Sequence, residues 1–149
     1  MSNARFPMRY LPKMLSNTDK KKQSRMLLKS KKMYKQGKYY TRKHVPSYKN
    51  VKSRHLDNAR KIYGIENLTP NAELARKTGC ELSALQQIVK KGEGAYFSSG
   101  SRPNQTPQSW GLARLASSLT AGKAAAVDYH ILEQGCNHKK KAFILANQS

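Results

Sequence analysis

The chain has 149 residues and a formal net charge of +21, from 29 Lys and Arg against eight Asp and Glu. That is about one domain's worth of chain, and no run approaches the roughly 20 apolar residues that a membrane-spanning helix needs. A positive balance this strong points to a polyanionic partner or a larger assembly, with no small-molecule substrate evident.

The charge is lopsided. Nineteen basic residues and only two acids, Asp19 and Asp57, fall within residues 1–63, a balance of +17, whereas residues 64–149 carry +4. Residues 1–63 therefore read as an extended, partly helical arm, basic and Tyr-rich, with one or two helices. Residues 64–149 read as a compact helical domain whose core spans about 60–147, and the fold class is mainly α. Such an arm would repel itself alone, so neighbouring proteins or nucleic acid are expected to order it.

In the arm, Thr18-Asp19 can cap a helix running to about Gln36, with Gly37 as its stop. Met26, Leu27, Leu28, Met33 and Tyr34 give it a partial apolar stripe, ringed by Lys20, Lys21, Lys22 and Arg25 among other cations. Next comes Lys38-Tyr39-Tyr40-Thr41-Arg42-Lys43, which interleaves rings and cations without a helical period. Lys and Arg neutralise phosphates, while a Tyr ring stacks on an exposed base or packs on a protein. Lys20, Lys21, Lys22, Arg25, Lys38, Tyr39, Tyr40, Arg42 and Lys43 are therefore candidate partner-binding residues.

Residues 70–92 predict two short helices, about 71–78 and 81–91, joined by Gly79 in a left-handed turn. Leu74, Ala75, Leu82, Leu85, Ile88 and Val89 form the expected seam. This is a helix–turn–helix-like pattern, although ordinary helical hairpins share it. If it reads DNA, Ser83, Gln86, Gln87, Lys90 and Lys91 face outwards, with Gln suited to an adenine edge and Lys to phosphate or guanine.

Residues 90–107 read as a Gly/Ser loop with Tyr96-Phe97 anchored in the core. Ser98, Ser99, Ser101 and Arg102 could take an anion, but a structural loop whose polar groups satisfy one another is the favoured reading. No GxxxxGK[ST] pattern occurs. Thr106 caps a helix with Pro107 in its first position, running to about Thr120. Gly122 breaks it, a further helix covers about 123–134, and 142–146 is either a short strand or a helix end.

Catalysis finds no constellation. Asp128, His130 and Glu133 share a helix, yet Asp128 and His130 are two apart and do not face each other. Cys80, His130, Cys136 and His138 match no standard zinc spacing. With no apolar signal-peptide core at the N-terminus, the two cysteines read as reduced, buried thiols of a cytoplasmic or nuclear protein. No catalytic residue, metal ligand or cofactor site is assigned.

The run Gly94-Ala95-Tyr96-Phe97-Ser98-Ser99-Gly100-Ser101-Arg102-Pro103-Asn104-Gln105-Thr106, with Ser109-Trp110-Gly111 and Ala113-Arg114-Leu115-Ala116-Ser117, resembles an uncharacterised group of small basic proteins. These are encoded by large DNA viruses of eukaryotes and by some phages. Residues 37–43 and 122–130 are similar to the same group, although Ala121-Gly122 stands where a Gly-Gly pair is expected. The resemblance implies a viral setting and no catalytic residues. The expectation is a non-enzymatic virion protein, a minor capsid component with other capsid proteins or viral DNA as partner. The alternative is a DNA-binding protein for genome condensation or regulation.

Overall fold

A computed structural model describes residues 6–49 and 53–148. Among these the chain forms helices α1 (Asn17–Lys35), α2 (Arg54–Tyr63), α3 (Ala72–Thr78), α4 (Leu82–Ser98), α5 (Pro107–Leu119), α6 (Lys123–Val127), α7 (Tyr129–Gly135) and α8 (Lys141–Gln148), and no strand. The mainly α class read from the sequence is the one the chain adopts. No helix among the described residues is long and apolar enough to cross a membrane. The chain divides into two compact units, one of residues 1–51 with 93–110 and one of 52–92 with 111–149.

In the first unit α1 is capped by Ser16, whose hydroxyl accepts the Asp19 N–H at 3.1 Å. The cap thus lies two residues before Thr18. Asp19 instead accepts the Ser47 N–H at 2.9 Å, and its hydrogen bonds from Ser47 hold its carboxyl below the ordinary value. Two small apolar clusters anchor α1. Leu27 is fully buried with Phe6 and Tyr10, and Leu11 and Trp110 pack on that cluster. Met26 joins Leu15, Val45 and Tyr48. Of the other members of the sequence stripe, Leu28 and Tyr34 stay exposed and Met33 is half-buried. The basic segment therefore owns apolar anchors, drawn partly from Trp110, far away in sequence.

The second unit holds the larger core, including Leu74, Leu85, Ile88, Leu115, Leu119 and Leu132. The Asn71 side chain caps α3 by accepting the Leu74 N–H at 2.8 Å, and Gly79 (φ +78°) makes the left-handed turn that the sequence requires. The seam differs in one place: Leu82 is exposed and Ala84 is buried instead. The second helix of this pair also runs further than its pattern suggests, through Gly92 and Gly94 to Ser98. Gly92 serves a close approach rather than a turn, since a Cβ there would lie 2.5 Å from the Gly111 Cα of α5. The helix tolerates glycine where packing outweighs its propensity cost of about 1 kcal/mol.

The expected helix over 123–134 is broken at Asp128 into α6 and α7. Asp128 is fully buried and accepts Arg114 Nε at 2.9 Å, Arg114 Nη2 at 2.7 Å and Ser118 Oγ at 3.1 Å. That bidentate bond raises the Arg114 pKa. Residues 142–146 are helical, within α8. The expectation of two reduced thiols is corrected: Cys80 and Cys136 are both buried and joined in a disulfide. Backbone bonds flank it, Glu81 N–H to the Gly135 carbonyl and Asn137 N–H to the Gly79 carbonyl, each 2.7 Å. The fold carries the two cysteines together across 56 residues of sequence.

Candidate nucleic-acid interface

Helical geometry places residues 22, 25, 26 and 29 on one face of α1, because side chains three, four and seven apart line up. The extended segment 38–45 supplies the opposite wall. Lys22, Arg25, Met26, Lys29, Tyr40 and Lys43 line an open groove of about 250 Å³, and that lining contains no carboxylate. Lys22 Nζ donates to the His44 carbonyl at 2.9 Å, so it is tethered across the groove. Lys29 Nζ sits 4.4 Å from the centre of the Tyr40 ring, a cation–π contact that orients both groups. Four cations thus surround an apolar floor of thioether and phenol ring. Cations of this kind neutralise phosphates, and the floor suits a sugar or base face.

The groove depends on how segment 38–45 is fastened, and Arg42 is the fastener. Its side chain is buried. Nη1 donates to Ser30 Oγ at 2.8 Å and to the Tyr96 carbonyl at 2.9 Å, and Nη2 donates to Ser101 Oγ at 2.8 Å. The guanidinium lies 3.7 Å from the Tyr96 ring centre, and the Arg42 N–H donates to the Tyr96 hydroxyl at 2.8 Å. Among the described residues no carboxylate pairs with it, and its Nε has no hydrogen-bond partner. Burial lowers its pKa, with nearby tyrosines opposing. Three residues further on, Asn104 Oδ1 accepts the Val45 N–H at 2.7 Å while Nδ2 donates to the Val45 carbonyl at 3.2 Å.

The long motif at 94–106 is therefore in good part a clamp. Tyr96, Ser101 and Asn104 hold the aromatic–basic segment, and Thr106 caps α5 by accepting the Ser109 N–H at 3.0 Å. Arg102, by contrast, is exposed.

The structure sorts the sequence candidates by place. Lys22, Arg25, Tyr40 and Lys43 meet in the groove. Lys21 and Lys38 are exposed and Lys20 is half-buried, all three outside that lining. Tyr39 is 71% exposed and touches Tyr34 and Phe97. Arg42 is committed inside the protein. Gln86, Gln87, Lys90 and Lys91 are exposed on α4 in the second unit, Gln86 one turn before Lys90 and Gln87 one turn before Lys91. Lys91 Nζ is 3.5 Å from His130 Nε2. Met26 and Lys29 were not among the candidates; the helical spacing of 22, 25, 26 and 29 is the signal that finds them. Among the described residues no group of three or more His, Cys, Asp and Glu is placed to hold a metal ion.

Residues 7–134 match the model of a family described as being of unknown function, DUF5824. No curated protein and no solved structure matches the chain significantly.

Proposed function

We propose, for a chain that belongs to DUF5824 and takes no activity from that membership, a non-enzymatic protein that binds nucleic acid through the α1 groove. The observation that carries this is the lining itself: four cations, an aromatic–thioether floor and no carboxylate. The groove offers a single sign of charge, the one that backbone phosphates require. The alternative device, the exposed Gln86, Gln87, Lys90 and Lys91 face after the Gly79 turn, has the right residue types for base edges. It lacks the concentration of charge that draws a duplex in.

The resemblance to viral proteins supports the setting. In it the bound polyanion is a viral genome and the chain a virion component. The minor-capsid reading rests on the same resemblance, with capsid proteins as partners. Mass spectrometry of particles fractionated into shell and core separates the two, core enrichment favouring the groove and shell enrichment the capsid contact.

Binding itself is tested by fluorescence anisotropy with labelled DNA over a salt series. Four phosphate contacts give a slope of log K against log salt of about −3 to −4. The variant Lys22→Gln/Arg25→Gln/Lys29→Gln removes three of them and should flatten that slope by roughly 2 to 3. Absent or salt-insensitive binding by the wild type rules the proposal out.

A further inference from the structure

We infer that the chain prefers single-stranded over duplex nucleic acid, with Tyr39, Tyr34 and Phe97 forming a platform on which unpaired bases stack. The inference rests on the nucleic-acid reading above and names the form of the polymer. Tyr39 is 71% exposed and Tyr34 39% exposed, in a chain whose other large rings are mostly covered. The three rings touch one another. Tyr39 lies 5.0 Å from Phe97 and 6.2 Å from Tyr34 between ring centres, and Tyr34 and Phe97 are parallel within 5° at 6.5 Å.

The platform is held in place from below. Phe97 meets the fully buried Tyr96 edge-on at 5.1 Å, and Tyr96 carries the Arg42 guanidinium on its face. Aromatic area fixed in this way and left open to water marks a binding surface. What covers it is decided by its neighbours. Lys35 and Lys38 are exposed and flank Tyr34 and Tyr39 in sequence, with no acid from residue 20 to residue 56. Tyr39 is also the chain neighbour of Tyr40, whose ring lines the groove. A strand whose phosphates the groove holds therefore follows the same extended segment that carries the Tyr39 ring. A duplex hides the faces of its bases in its own stack, whereas a single strand offers them.

The test is anisotropy titration with a labelled oligothymidine and a hairpin duplex of equal phosphate number, at one salt concentration. Wild type should bind the single strand more tightly. Tyr39→Ala should lower that affinity roughly tenfold and leave duplex affinity unchanged, as loss of one stacked base predicts. Tyr39→Phe should behave as wild type, and circular dichroism should show all three chains equally folded, because the ring is exposed. Equal affinity for both forms in wild type overturns the inference, as does an unchanged Tyr39→Ala, which would assign the rings to a protein partner. If the groove variant weakens both forms while Tyr39→Ala weakens neither, the nucleic-acid reading survives and the stacking platform does not. Failure of wild type to bind either form overturns both.

Discussion

Arg42 and Lys43 are adjacent cations in one basic run, yet one is buried and the other lines the groove. Nothing local distinguishes them. The difference is made by Ser101, 59 residues away, and by Tyr96, 54 residues away, which accept hydrogen bonds from Arg42. Composition therefore identifies the basic–aromatic segment but not which cation fastens it. The physics of the site fixes the consequence of losing it. Arg42→Ala takes the donor from two hydroxyls and from the buried Tyr96 carbonyl, and should cost about 3 kcal/mol in urea unfolding. Arg42→Lys keeps the charge but not the planar fork that meets three acceptors, so it should recover less than half of that loss. A lysine variant as stable as wild type would show that charge alone, without the fork, holds the segment.

Helices were legible wherever a periodic apolar pattern met a stop signal. Asn71 and Gly79 bound α3, and Thr106 with Pro107 starts α5, as residue chemistry demands. The pattern misleads at α4, because glycine signals a turn in sequence and a close approach in structure. Gly92 and Gly94 look alike in the chain and differ completely in space. A Cβ on Gly92 would lie 2.5 Å from Gly111 Cα, whereas around Gly94 there is nothing within 4 Å. Gly92→Ala should therefore destabilise by about 2–3 kcal/mol through overpacking of α4 against α5. Gly94→Ala on the same helix should stabilise by up to about 1 kcal/mol, by removing unfolded-state freedom. Thermal unfolding followed by circular dichroism reads both, and two shifts of the same sign would contradict this account of α4. Asp128 shows the converse limit: its helix was expected to run on, but a buried carboxylate that pairs with Arg114 sets the break.

For the whole molecule, a net charge of +21 works against compactness, since like charges repel more strongly when the chain is folded than when it is expanded. Few carboxylates are present to offset this, so the stability of the free chain leans on burial and on covalent closure. The disulfide supplies the second. Cys80 and Cys136 lie 56 positions apart in sequence, and closing a loop of that length removes unfolded-chain entropy worth about 4 kcal/mol. That is a large share of the roughly 5–15 kcal/mol that holds a domain folded. Urea unfolding of the chain with and without reductant should therefore differ by about 2–4 kcal/mol. Cys80→Ala/Cys136→Ala should match the reduced protein and be indifferent to reductant. Added salt should narrow no part of this gap, because loop closure carries no charge, while it raises the stability of both forms by screening their repulsion. A gap that closes with salt would instead trace the effect of reduction to charge, and identical midpoints in both redox states would show that the backbone bonds beside the cysteines hold these turns without the covalent link.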